Sequence, residues 1–584
     1  MTPGRERLLT WGALTLVLAL AAGVYSSSFS NNLLNWDDAV NVTGNAAIRG
    51  FTWTNLRAWF TQPLLGVYSP IVYLSYAVDY RIGELSPATY HATNLALHLA
   101  GVVLTFAIVR RLTNRRWAAI LVAALFAVHP ANVAAVTPIS VRSSLLYACF
   151  YLSAYLSYLS SRSYLSFLFF FLSSLSKPAA VVFPVLMLLT DYYRNRPLTW
   201  PAWREKIPFV VVSVAIGTMA LVFRTDMATG SPLQTSLLER LALAAYQLGF
   251  YVVKAVAPIG LSAYYPYPER TAGALPLGVW LAPLMVLLVA ALVSRVRFER
   301  RLLSFGLLFF VLHLALVLKL VPLGAEFTAD RYLYVPLVGL AVLLAGLAGR
   351  LSPRAQRAAV AAALVVIATW SVVSYRRNAD WRDDMTFYTR IIDRFPGAAV
   401  AHANRAAARL QVNDVEGAGR DSTEAIRLDS TNVQGYFNRA TAEVFQGRLR
   451  DALQDATRAI TLDPQLPASF ALRAQIRLST GDYAGARDDA GTAIDLAPNA
   501  DDVFKPLVTR GMARMVLGDG PGALQDLDRA IAARPQEPAL FFNRGQVKLA
   551  QDDVAGGCAD LRAAAAGGRE DAKAMLAERC KGST

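Results

Sequence analysis

Apolar residues fill the first two thirds of the chain in long runs broken by short charged clusters. Near Asp380 the pattern changes abruptly to Ala, Arg, Asp and Gln with no long apolar run. The first run extends from Leu9 to about Tyr25 behind Arg5 and Arg7. It lacks the usual small-residue cleavage site, so it reads as a retained anchor rather than a signal peptide. Further runs cover 92–109, 117–131, 145–160, 163–176, 178–191, 207–223, 277–294, 302–320, 332–349 and 358–374. Together they predict about eleven crossings of a ~30 Å hydrocarbon core, some only just long enough.

The clusters Arg110-Arg111 with Arg115-Arg116, Arg194 to Lys206, Arg295 to Arg301 and Arg350 to Arg357 fall in loops that this count places on the N-terminal side, as the positive-inside rule requires. Residues 240–258 are apolar enough to be considered, yet a crossing there would move Arg295 to Arg301 to the wrong face. They read instead as a re-entrant or interfacial helix, followed by Tyr264-Tyr265-Pro266-Tyr267 in the headgroup zone. An odd number of crossings puts the loop after the first run and the C-terminal third on the extracytoplasmic side.

Beyond Asp380 a repeat appears. Asn404-Arg405-Ala406 recurs as Asn438-Arg439-Ala440, and the arginine returns as Arg473, Arg510 and Arg544, at spacings of 34, 34, 37 and 34. Pro464, Pro498 and Pro535 close successive units. Paired helices with a 34-residue period are the tetratricopeptide (TPR) signature, and about five units suffice to stack a continuous core. Gly447, Ala452, Gly481, Ala486, Gly518 and Ala523 fall where the helices of a pair approach closely. The fold class is therefore all-α: a polytopic transmembrane bundle over 1–379, then a TPR α-solenoid over 380–584 with a capping helix. The concave face of such an array takes an extended peptide, with a rigid spacer as the alternative.

With 55% hydrophobic and 17% charged residues, the chain is more apolar than an average soluble protein. Its net charge of +15 lies in short clusters between apolar runs, not in an aromatic-interleaved stripe, so topology accounts for it and nucleic acid is not an expected partner. Of three cysteines, Cys149 sits within an apolar run as a filler, and Cys558 and Cys580 flank the last helices. An extracytoplasmic array would allow those two to form a disulfide over the terminal cap. Spacing alone leaves that open.

The candidate chemistry starts at Asn35-Trp36-Asp37-Asp38, two adjacent carboxylates just beyond the first run. They are too polar to face lipid, so they either decorate an aqueous loop or line a site. His91 and His98 are seven apart, two turns along one helix face, with Asn94 between them. Interhelical hydrogen bonding or substrate contact suits that stripe, and no metal site is expected from it.

The order of these motifs carries a resemblance. Asn35-Trp36-Asp37-Asp38, Tyr90-His91-Ala92-Thr93-Asn94 ahead of His98, His129-Pro130, Ser176-Lys177 and the run from Ala329 to Pro336 together resemble the transmembrane-and-tetratricopeptide O-mannosyltransferases and their bacterial relatives. That resemblance implies an integral membrane glycosyltransferase of the GT-C class in a bacterial inner membrane. It would pass a mannose-like sugar from a polyprenyl-phosphate donor to a protein hydroxyl at the extracytoplasmic face, with no cofactor called for and the TPR array binding the acceptor. Asp37 or Asp38 would be the general base, because a Ser or Thr hydroxyl is a weak nucleophile. The leaving phosphate needs a cation, for which Arg331, Lys177, Arg142 and Lys319 are candidates. Asp330 would orient Arg331, Tyr332 and Tyr334 would shape the sugar or lipid contact, and His91 and Asn94 would join the substrate site.

The chain departs from the family's pattern at Ala134 and Ser144, where acidic residues are expected around Arg142, and at Ser69-Pro70 and Lys177-Pro178. A non-catalytic membrane scaffold whose array assembles envelope proteins is the alternative reading.

Overall fold

The computed structural model describes residues 3–63, 68–225, 235–271, 273–320, 326–497 and 500–580. Among these, helices account for nearly all regular structure, and the chain divides into two compact units, Met1–Phe395 and Pro396–Thr584. The division falls one helix beyond the change in composition at Asp380. Asp384–Arg394 belongs with the first unit because its apolar face meets the loop after the first span: Trp36 packs on Phe387 and Tyr388 at 5.7 and 6.0 Å between ring centres, and the Tyr388 hydroxyl donates to the Asn35 carbonyl at 2.7 Å.

Among the described residues, five helices of the first unit are long and apolar enough to cross a membrane: Gly4–Ser30, Pro87–Thr113, Trp200–Val222, Leu277–Arg295 and Pro353–Trp381. A sixth forms if Arg116–Val128 and Pro130–Val136, bent by 47°, count as one span. The chain is a membrane protein. The other apolar runs counted among about eleven crossings form shorter helices, such as Ser163–Ser174, Pro178–Tyr193 and Pro336–Ala348. At 1.5 Å per residue these fall short of a ~30 Å core. Two physical causes explain the difference. Turns and prolines interrupt the runs, with Ser161 in the left-handed region between Arg142–Leu159 and Ser163–Ser174 and with Pro184 in the first turn of Phe183–Tyr193. The Arg142–Leu159 helix is also buried on most of its faces, so its apolarity reflects packing inside the bundle rather than exposure to lipid.

The helix Leu237–Val256 starts with a Ser236–Glu239 capping box and is two-faced. Ala242, Leu243, Gln247 and Tyr251 are buried while Leu238, Leu241, Val252, Val253 and Val256 are exposed, and it is not among the helices fit to cross.

Among the described residues, the second unit holds five helical hairpins, from Ala399–Gln411 with Val415–Leu428 to Pro538–Ala550 with Val554–Ala566, followed by Glu570–Arg579. The repeated arginine has one partner throughout. Arg405, Arg439, Arg473, Arg510 and Arg544 each reach the aspartate 16 residues on, across their own hairpin: Asp421, Asp455, Asp489, Asp526 and Asp560. Each pair is two-pronged, Nε and Nη2 on the two carboxylate oxygens, a geometry only a planar guanidinium supplies. The turn inside each hairpin needs a left-handed residue, filled by Asn413, Gly447, Gly481, Gly518 and Asp552. Pro498 lies outside the described residues. Cys558 and Cys580 are joined by a disulfide that ties the last helix to the fifth hairpin.

Asp526 is almost fully buried and receives both Arg510 and Arg514. Asp526→Ala therefore strands two guanidiniums and destabilises that hairpin by about 3 kcal/mol. Hydrogen exchange across 503–533 of the full chain accelerates accordingly, and unchanged exchange would show that the ladder of pairs does not hold the array.

Candidate functional site

The two aspartates after the first span have different surroundings. Asp38 is 3% exposed, and both of its oxygens are engaged: the Leu34 N–H donates to one at 2.9 Å and the Ser140 N–H to the other at 2.9 Å. It clamps its own loop to the segment after Val136. Asp37 is half-buried, and its carboxylate accepts no hydrogen bond among the described residues. It lines a narrow recess with Trp36, Ala134, Ser140, Arg331, Trp381 and Phe387. Burial raises the Asp37 pKa above the usual carboxylate value, with Arg331 opposing that rise and Glu326 adding to it. Burial also lifts Asp38, to about 6, against the two backbone donors.

Arg331 follows Asp330 in a short turn, Asp330–Leu333, that precedes the helix Pro336–Ala348. Its side chain is 24% exposed and pairs with Glu326 at 3.0 Å. Besides the Asp37 recess, Arg331 lines a second one with Lys177, Ser144, Tyr147, His313 and Tyr332. The Lys177 ammonium donates to the Ser144 hydroxyl at 2.9 Å. Lys177 and Arg331 both sit over the Tyr332 ring, at 5.3 and 5.2 Å from its centre, so one aromatic face system holds two cations close together. Ala134 and Ser144, two departures from the family's pattern, thus line one recess each.

Among the described residues no side-chain bond joins Asp330 to Arg331. Asp330 is buried, accepts from the Tyr265 hydroxyl at 2.9 Å and pairs with Arg377 at 2.7 Å. Arg377 also donates to the Pro130 carbonyl at 2.7 Å. Arg142 is fully buried and its donors go to Asn94, Ser75, Asp79 and the Tyr90 carbonyl. That network uses Asn94 as well, whose amide donates to the Val136 and Pro138 carbonyls at 3.0 Å each. Arg142 and Asn94 therefore brace the 129–141 segment from behind instead of lining either recess. His91 is buried beside Asn31 and Thr137, and His98 bonds Tyr334 and the Ala127 carbonyl at 2.8 and 3.0 Å. The Lys319 ammonium lies 5.5 Å from the centre of the Tyr267 ring.

Three contributors are not apparent in the motif reading: Arg377, Glu326 and the Trp381–Phe387 wall. Arg377 sits next to Arg376 at the end of the last long helix and looks like another interfacial basic residue. The only sequence signal for it is its place beside the compositional boundary.

No family profile matches the chain. Individual proteins do. The chain is 28% identical to protein O-mannosyl-transferase TMTC3 of Mus musculus over 172 residues, which is 28% of this chain and 18% of that protein. It is 22% identical to protein O-mannosyl-transferase F38B6.6 of Caenorhabditis elegans over 456 residues, 72% of this chain and 63% of that protein. With protein O-mannosyl-transferase Tmtc1 of Drosophila melanogaster it shares 39% over 93 residues, 16% and 11% of the two. The chain resembles the TMTC protein O-mannosyl-transferases. Each match spans less than two thirds of the TMTC relative concerned. Among solved structures, a crystal structure titled "YrrB: a TPR protein with an unusual peptide-binding site" covers 33% of this chain and 97% of its own at 18% identity and a TM-score of 0.29. A MamA crystal structure covers 30% and 94% at 16% and 0.26.

Asp38 yields a test independent of any activity. Its folded pKa of about 6 exceeds the ordinary value near 3.9, so the native state holds a proton that the unfolded state has lost, and this contribution falls away as pH rises through about 6. Relative to Asp38→Asn, the wild type gains thermal stability on going from about pH 7.5 to about pH 4.5. Parallel melting curves for the two proteins would rule this out. Asp38→Ala, which leaves two backbone N–H groups without acceptors, lowers stability by about 2 kcal/mol or more.

Proposed function

We propose that the membrane unit is a glycosyltransferase of the GT-C type that moves a mannose-like sugar from a polyprenyl phosphate to a protein hydroxyl on the extracytoplasmic face. The observation that carries this reading is the position of Arg331, a wall common to the Asp37 recess and the Lys177 recess. Glycosyl transfer to a hydroxyl needs a carboxylate to accept the hydroxyl proton and, on the other side of the anomeric carbon, positive charge for the departing phosphate. Asp37 is the base: it is the member of the acidic pair with a carboxylate clear of backbone donors. As it takes the proton, the acceptor oxygen forms its bond to the anomeric carbon, and the bond from that carbon to the phosphate oxygen breaks with its electron pair left on the phosphate. Arg331 and Lys177 hold that phosphate, and Tyr332 keeps the two cations together. Asp38, Asp330, Arg142, Asn94 and His91 hold the loops in register around the recesses.

Two features support the sidedness. The Asp37 loop is bonded to the segment after the last long helix, through the Asn32 N–H on the Arg382 carbonyl at 2.9 Å and the Asn35 N–H on Asp384 at 2.7 Å, so both emerge on one face. The Cys558–Cys580 disulfide suits an oxidising compartment. The array is the acceptor-binding part, its groove taking an extended peptide.

Asp37→Asn is expected to retain the wild-type melting temperature and to lose transfer by about 10²–10⁴-fold. Intact masses of extracytoplasmic proteins then lack the added hexose. Full glycan masses in that strain would favour the scaffold reading, in which the array alone matters. The acid limb of the wild-type rate falls at a pH above the ordinary carboxylate value, since Asp37 must be ionised to act and its pKa is raised.

A further inference from the structure

At the opposite end of the same bundle, an apolar groove runs between the helices Arg116–Val128, Pro336–Ala348 and Pro353–Arg377. It consists of two recesses of about 540 and 500 Å³ that share Val122, Leu125, Leu344 and Ala363 in their linings, so they adjoin along the same helices. Small residues make the concavity: Ala345, Ala348, Gly349, Ala359 and Ala363 stand where larger side chains would fill it. Its polar groups are gathered at one mouth, where Asn114, Arg115, Arg116 and Gln356 line it. The far end reaches His129 and Trp370. At 1.5 Å per residue the Arg116–Val128 helix gives the channel a run of about 20 Å, longer than one ~15 Å leaflet.

The charge at the mouth is unbalanced. Arg116 is matched by Glu6 at 3.0 Å, and Arg350, next to Gly349, by Glu299 at 2.6 Å. Arg115 lies across Gly349, close enough that an added Cβ there would meet its Nε at 2.5 Å, and it has no acidic partner among the described residues. The mouth therefore offers guanidinium and amide donors with a net positive charge, above a slot that only hydrocarbon fills comfortably.

We propose that this groove binds one anionic phospholipid, its phosphate held by Arg115 with Asn114 and Gln356 beside it, and one acyl chain laid along the channel. Charge separates this site from ordinary lipid contact. A zwitterionic lipid brings its own cation to the mouth, whereas an anionic head meets the uncompensated Arg115 guanidinium. The site is distinct from the proposed donor recess, because the Arg116–Val128 helix carries its basic start to the groove mouth and its His129-Pro130 end to the Asp330–Arg377 pair.

The test uses the full-length protein, delipidated in detergent and weighed intact by native mass spectrometry after adding equal amounts of phosphatidylglycerol and phosphatidylcholine with matched chains. The wild type retains phosphatidylglycerol about ten-fold or more over phosphatidylcholine. Arg115→Gln, on the surface, brings that ratio to about one. Ala345→Leu with Ala363→Leu fills the channel and loses both lipids. Equal retention of the two lipids by the wild type, an unchanged ratio in the glutamine variant, or unaltered binding in the filled channel overturns the proposal. So does a two-chain mass that the filled channel abolishes, since a second copy would then be the occupant.

Discussion

The ion pair between Asp330 and Arg377 is the constraint on which the site depends. Both groups are buried, and leaving either alone would cost about 3–5 kcal/mol. The pair is embedded in further bonds, with the Tyr265 hydroxyl on the carboxylate and the Pro130 carbonyl on the guanidinium. Four separate segments thereby meet at one point: the bend after Val128, the stretch after Leu237–Val256, the turn at Asp330–Leu333 and the end of the last long helix. Because Asp330 is fixed, the next residue, Arg331, is presented from a rigid backbone toward the two recesses rather than from a free loop.

From that arrangement follows a division of labour between neighbours that look alike. Asp38 is spent on two backbone N–H groups and Asp330 on the Tyr265 hydroxyl and the Arg377 guanidinium, while Asp37 and Arg331 line the recess. Arg142 shows the same economy: its guanidinium meets a carbonyl, an amide, a hydroxyl and a carboxylate in the interior and faces neither recess. The reading of the site accordingly narrows to three charged groups, Asp37, Arg331 and Lys177, with Tyr332 between the cations.

Much of this is legible in the chain itself. The 34-residue period gives the array, and the aspartate 16 positions after each repeated arginine is present in the sequence as a second signal that the helical pairing explains. Asn35-Trp36-Asp37-Asp38 and the run from Ala329 mark the right segments. What the sequence does not separate is which of two adjacent carboxylates is engaged, because that depends on where the Ser140 N–H lies in space. Arg377 is hidden for a related reason: a basic residue at the end of an apolar helix has the same appearance whether it snorkels to water or pairs inward. The count of about eleven crossings is not confirmed: five helices among the described residues, or six with the bent pair, are long and apolar enough to cross, and other apolar runs form helices of ten to seventeen residues.

The central claim is that Asp37 and the Arg331–Lys177 pair act on opposite sides of one anomeric carbon. Cryo-electron microscopy of the full chain with a non-transferable polyprenyl-phosphate sugar tests it most directly. The account predicts the phosphate within hydrogen-bond distance of Arg331 and Lys177, with the sugar ring extending toward Asp37. A phosphate bound away from both cations, or a sugar on the far side of Arg331 from Asp37, would contradict it.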